Sequence, residues 1–150
     1  MKEINGKTYT EGVSHDFNEL LEIIKVLRSP VGCEWDRAQT FSSMKECLKN
    51  ECGEVISAIN NGDYDNLCEE LGDVLLQVLL NARIAEEEGL FTFNDVVNGL
   101  AEKLIRRHPH VFGDAIRPTT PEESLAMWRS VKEKEKKLKA LKAQNKNQVK

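Results

Sequence analysis

Apolar residues recur along this chain at spacings of three and four, and no stretch sustains the apolar–polar alternation of a half-buried strand. Helices are therefore expected throughout, with capping residues marking their limits. Asp16, with Glu19 three residues on, opens a first helix over about Phe17–Arg28, which Pro30 follows. Ser43 with Glu46 reads as the capping box of a second helix, and Asn60-Asn61-Gly62 as its stop. A third helix is expected to start after Asp65 or Asn66 and run to Glu88, with Gly89 capping its end. Thr92-x-x-Asp95 opens a fourth, which ends before Pro109. Thr120-Pro121-Glu122-Glu123 carries the cap, the first-turn proline and the third-position glutamate of a fifth. The short connection from Asn60 to Asp65 makes the second and third helices the arms of an antiparallel hairpin. The expected fold class is all-α, a helical bundle built around that hairpin.

The third helix departs from the usual surface pattern. At about 100° per residue, Glu70, Asp73, Gln77 and Asn81 form one narrow polar stripe. Leu67, Leu71, Val74, Val78 and Ala82 flank it on one side, and Leu76 and Leu80 on the other. A polar stripe between two apolar arcs faces protein rather than bulk water. Two arcs also exceed what one chain's neighbouring helices cover, so a homo-oligomer is expected, with a second subunit on the narrower Leu76/Leu80 arc.

Acidic pairs give the stripe its chemistry. Glu51-x-x-Glu54 lies on the second helix and Glu70-x-x-Asp73 on the third, each pair on one face a turn apart. Counted from Gly62, Glu54 and Glu70 stand at equal distance, and so do Glu51 and Asp73. An antiparallel hairpin then sets Glu54 against Glu70 and Glu51 against Asp73, roughly 12–16 Å from the turn. Four converging carboxylates repel, so they take up protons or bind a cation. All-oxygen donors select a hard ion, Mg²⁺ or Mn²⁺. A di-iron bundle site would need Glu-x-x-His pairs, which the chain lacks.

Composition narrows the function classes. The chain has 150 residues, 40% apolar and 31% charged, enough for one domain with a core but not for two. No apolar run approaches the length of a membrane helix, and the N-terminal MKEINGKTYTEG lacks a signal peptide's apolar stretch, so a cytoplasmic protein is expected. Cys33, Cys47, Cys52 and Cys68 have neither C-x-x-C nor zinc spacing and read as buried thiols in a reducing compartment. Net charge is −4, and the segment 132–150, with eight Lys against two Glu, contributes +6 of it, so residues 1–131 carry −10. An acidic body argues against a nucleic-acid surface. Residues 1–131 read as a single domain and 132–150 as a lysine-rich helix end or tail, and deleting 133–150 is expected to leave turnover intact.

Taken in order, GCEWDRAQT (Gly32–Thr40), Glu51-x-x-Glu54, EELGDVLLQVLLNARIAEEEG (Glu69–Gly89) and KLIRRHPHVFGD (Lys103–Asp114) resemble the MazG-type nucleoside triphosphate pyrophosphohydrolases. The resemblance spans about Leu27 to Asp114. It implies an all-α domain that assembles as dimers or higher oligomers and cleaves nucleoside triphosphates to monophosphate and pyrophosphate with Mg²⁺. The family's Glu-Glu-x-x-Glu and Glu-x-x-Asp motifs fall on Asn50, Glu51, Glu54, Glu70 and Asp73. The last four match and become the expected metal ligands and catalytic carboxylates. Asn50 replaces the first glutamate, Glu34 stands at a usual proline, and Gly53 at a usually larger residue, where it could admit a close neighbour. Lys103 and Arg107, four residues apart, become triphosphate contacts, and Trp35 and Trp128 candidate base contacts. His110 and Phe112 read as holding the loop. The alternative to an enzyme is a non-catalytic nucleotide- or metal-binding regulator, which Asn50 would suit. An interaction protein docking through its lysine-rich end is a third.

Overall fold

The computed structural model describes residues 3–4 and 6–148. They pack as two units, Met1–Phe93 and Asn94–Lys150. The fold is all-helical apart from one ladder of two residue pairs. There β1 (Glu3–Ile4) lies antiparallel to β2 (Lys7–Thr8), with Glu3 opposite Thr8 and Ile4 opposite Lys7. Strands of two residues are too short to alternate, so no pattern announces them.

The first unit contains α1 (Phe17–Leu27), α2 (Glu34–Ala38), α3 (Phe41–Asn61) and α4 (Tyr64–Glu87). Asp16 and Glu19 form a reciprocal capping box at the start of α1, and Arg28 caps its end. The box of α3 lies three residues before the expected Ser43/Glu46 pair. The Ser43 N–H donates to Thr40 Oγ1 (3.3 Å), and the Thr40 N–H donates to Ser43 Oγ (3.0 Å). Gly62 ends α3 with φ of 67°, a left-handed conformation that favours glycine. Asp63 then accepts from the Asn66 N–H (3.1 Å), so α4 begins at Tyr64, ahead of the expected start. Only Gly62 and Asp63 separate α3 from α4, and their packing is the most extensive between any two elements.

Five residues cannot display a helical period, so α2 too is invisible in the apolar pattern. A tight turn leads into it: the Gly32 N–H donates to Ser29 O (2.9 Å) and the Cys33 N–H to Leu27 O (2.8 Å). A Cβ at residue 32 would strike the carbonyl oxygens of Val26 and Leu27, so the backbone passes only as glycine. Arg28, with a side chain 6% exposed, donates to the carbonyls of Asp36 and Gln39 and to both carboxylate oxygens of Glu87. One guanidinium thus ties α2 to the ends of α1 and α4.

Ile24, Met44, Leu79, Leu80 and Ile84 form the buried core, with Leu20, Leu21, Leu27, Phe41, Leu75, Leu76 and Phe93 packed against it. This reverses the assignment of the two arcs on α4. Leu80 is buried in the chain's own core and Leu76 packs on it, whereas Leu71 and Val78 of the wider arc are 53% and 40% exposed. The narrower arc is the one that α1 and the start of α3 cover.

The second unit contains α5 (Phe93–Arg107, from the last residue of the first unit), α6 (Pro109–Phe112) and α7 (Pro121–Gln148). Thr120 Oγ1 accepts from the Glu123 N–H (3.2 Å), satisfying one of the first orphan donors of α7. That helix continues through Lys132 without a break, and the last two residues of the lysine-rich segment lie outside the described residues. No helix among the described residues is long and apolar enough to cross a membrane.

Candidate functional site

The polar stripe of α4 faces inward. Glu70 and Gln77 are the buried polar residues of the first unit, and Asp73 and Asn81 are half-buried. From α3, Glu51 reaches the same place. One carboxylate oxygen each of Glu51, Glu70 and Asp73 lies within 4.8 Å of the others. Glu54, one turn along α3 from Glu51, is exposed and outside this trio, yet its charge acts on it. Asn50 is exposed on α3, and a Cβ at Gly53 would meet nothing, so no close neighbour explains that glycine.

The electrostatics follow from this crowding. Burial pushes the Glu51 carboxyl above the usual carboxylate range, and the charges of Asp73 and then Glu54 add to the shift. Burial also raises the Glu70 carboxyl, followed by the charge of Glu54, then those of Asp73 and Glu51. Among the neighbouring charges, Asp73 acts most on Glu51 and Glu54 most on Glu70. Gln77 is one turn beyond Asp73, and its Oε1 is buried without a hydrogen-bond partner. Converging carboxylates, of which Glu51 and Glu70 are held above their normal range, with an orphaned acceptor on the same stripe, fit a hard divalent cation.

Trp35 stands on α2, 61% exposed. In the second unit, α5 carries Lys103, half-buried, and Arg107, whose side chain is 15% exposed. Arg107 is engaged by α7. Its Nε and Nη2 donate to Glu135 Oε2 at 3.0 and 2.6 Å, and Arg106 Nε donates to Glu135 Oε1 at 2.6 Å. These bonds hold the Glu135 carboxyl at about 2, with Arg107 the larger cause. Trp128 is half-buried, with the Arg107 guanidinium 5.0 Å and the Lys132 ammonium 4.7 Å from its ring centroid. Sequence reasoning missed Glu135, treating residues 132–150 as a solvated cationic end. The spacing Trp128, Lys132, Glu135 places the three on one face of α7, but only the reach of Arg106 and Arg107 from α5 to Glu135 and Trp128 gives that face a role. His110 Nδ1 is buried without a partner beside the His108 ring, whose Nδ1 lies 2.7 Å from Leu104 O. The thiols differ from expectation: Cys33 and Cys47 are half-buried, and Cys52 and Cys68 are exposed. Cys52 stands on α3 and Cys68 on α4.

Fold and site together define an all-helical domain that presents a carboxylate cluster of metal-binding type between two helices. The MazG nucleotide pyrophosphohydrolase domain matches residues 39–112, a span that holds all four carboxylates together with Lys103 and Arg107. The chain is 54% identical over 120 residues to the nucleoside triphosphate pyrophosphohydrolase/pyrophosphatase MazG of Thermotoga maritima, covering 80% of this chain and 45% of that one. It is 43% identical over 127 residues to the nucleoside triphosphate pyrophosphohydrolase of Escherichia coli K12, covering 84% and 48%. The crystal structure of a mazG-related protein from Thermotoga maritima superposes with a TM-score of 0.64 at 31% identity, covering 77% of this chain and 98% of that one. The chain belongs to the MazG family of nucleotide pyrophosphohydrolases. It spans under half the length of both curated relatives.

Proposed function

We propose that the chain hydrolyses nucleoside triphosphates to nucleoside monophosphate and pyrophosphate with Mg²⁺ as cofactor, Mn²⁺ substituting. The observation that carries this reading is the convergence of the Glu51, Glu70 and Asp73 carboxylates within 4.8 Å in a chain of this family. Together with Glu54 they would hold the ion. When bound, Mg²⁺ neutralises phosphate oxygens and lowers the pKa of a bound water. The protein's own part is electrostatic and positional. One of the four carboxylates accepts the proton of the water that opens the α–β phosphoanhydride. Lys103 and Arg107 carry the charge that stabilises the departing pyrophosphate. Trp35 and Trp128 offer aromatic faces to the base.

In this reading α3 and α4 are the antiparallel arms that bring the carboxylates together. A second copy of the chain covers the exposed Leu71 and Val78 of α4, giving a homo-oligomer. The four free thiols suit a reducing cytoplasm. A non-catalytic nucleotide-binding regulator is the second reading, favoured by Asn50 where the motif has glutamate. One experiment separates them: a panel of NTPs and dNTPs incubated with Mg²⁺, with Mn²⁺ and with chelator, quantifying pyrophosphate. Metal-dependent release from at least one nucleotide supports the enzyme. Nucleotide binding without release across the panel overturns it in favour of the regulator.

A further inference from the structure

We propose that Glu135 is a positioning residue for Arg107, holding its guanidinium in the orientation that receives the triphosphate; this rests on the reading of Arg107 as a phosphate contact. The geometry is that of a bracket. Glu135 Oε2 takes Nε and Nη2 of Arg107, Oε1 takes Nε of Arg106, and the Trp128 ring lies 5.0 Å from the Arg107 guanidinium. Arg107 and Glu135 side chains are 15% and 13% exposed, so this is an enclosed pair rather than a surface one. An arginine loses much side-chain freedom when it binds phosphate, and ordering it beforehand removes that cost from binding. The bonds to Glu135 occupy two of the five N–H donors of Arg107 and leave its fork able to meet an anion.

Charge decides between positioning and blocking. Arg106 and Arg107 both pair with the single carboxylate of Glu135, and Lys132 adds a further ammonium over the Trp128 ring that Arg107 also faces, so the group keeps a net positive charge for a polyanion. A carboxylate placed to block the site would instead cancel the charge that attracts the substrate. The lysine-rich end is therefore not dispensable in this proposal, because residues 133–150 include the bracket.

The test uses the full chain and the variants Glu135→Ala, Glu135→Gln, Arg107→Ala and Glu135→Ala/Arg107→Ala. Their folding is checked by circular dichroism and melting. Two readouts are taken: KM and kcat for the Mg²⁺–NTP that the panel identifies, and calorimetric affinity for inorganic pyrophosphate, which needs no turnover. Glu135→Ala is expected to lower kcat/KM and weaken pyrophosphate binding, each roughly tenfold, because the guanidinium it holds meets both the bound triphosphate and the departing pyrophosphate. Glu135→Gln, which keeps an acceptor of the same reach, should lose less. Adding Glu135→Ala to Arg107→Ala should change little more, because the bracket acts only through that guanidinium. Unchanged or tighter binding in Glu135→Ala, or effects that multiply in the double variant, would overturn the proposal. If Glu135→Ala melts below the assay temperature, Glu135→Gln decides by the same criteria. Absence of turnover in the wild type with pyrophosphate binding intact sinks the enzyme reading alone, whereas an Arg107→Ala variant that binds normally sinks the positioning role.

Discussion

Replacing Asp73 by Asn should stabilise the metal-free protein and abolish its response to Mg²⁺, two effects of opposite sign from one atom. In the native cluster the Asp73 and Glu51 carboxylates approach within 4.8 Å. Two unit charges at that distance repel by about 3.5 kcal/mol at an effective dielectric near 20. Both residues are half-buried, so water screens part of this, and about 1–2 kcal/mol of relief is expected. For a chain of this size that raises the melting temperature by about 2–8 °C. Wild type without metal is thus the less stable of the two. With Mg²⁺ at about 100 times its dissociation constant, however, wild type gains about 2.7 kcal/mol, which the variant forgoes along with turnover. The stability order of the two proteins should therefore reverse between chelator and saturating Mg²⁺, read by differential scanning calorimetry. A variant less stable than wild type in chelator, or one with the wild-type Mg²⁺ shift, refutes the four-carboxylate site.

Further outcomes follow from the same geometry. Glu51 and Glu70 have raised folded-state carboxyl pKa values, so their contribution is complete below the unfolded value of about 4.5 and is lost as pH rises through the folded ones. In chelator, melting temperature should therefore rise from pH 7 to pH 5, and less so in Glu51→Gln; an identical slope in that variant would contradict the assignment. At Glu87, burial raises the carboxyl but the hydrogen bond and charge of Arg28, with Arg83, outweigh it and hold the group below its ordinary value. Its contribution is present above about pH 4.5 and lost as pH falls further. Glu87→Gln, which leaves the enclosed Arg28 without its carboxylate, should cost about 2 kcal/mol at pH 7 by urea titration, and less at pH 3. Gln77→Met should stabilise the apo protein by about 1 kcal/mol, since it removes a buried acceptor with no partner; a destabilised variant would show that Oε1 is satisfied in solution. Leu71→Asp should weaken self-association, measured by light scattering, more than Lys25→Asp does. Equal effects, or a wild-type monomer at 17.0 kDa, would remove α4 from the interface.

Much of this protein is written locally. Apolar spacing and caps within three or four residues of each other locate α1, the end of α3, most of α4, and the starts of α5 and α7, because those determinants act inside one turn. The acid pairs were legible for the same reason: three-residue spacing fixes a shared face whatever surrounds the helix. Where two local caps competed, at Ser43, the choice needed the backbone path, and Thr40 prevailed because Ser43 is itself the third-position partner of its box. What joins distant segments was not legible. The bond from Arg28 to Glu87 spans 59 positions, and the bracket from Arg107 to Glu135 spans 28; sequence distance carries no record of such pairings. Nor could periodicity say which apolar arc of α4 the chain covers with its own residues, since both arcs carry large apolar side chains. Burial of Leu80 and exposure of Leu71 are decided by where α1 and the start of α3 come to rest. The long helices and the faces on which the carboxylates stand follow from residues close together in the chain; which side chains those faces meet follows from packing between distant segments, and with it the raised carboxyls of Glu51 and Glu70 and the held guanidinium of Arg107.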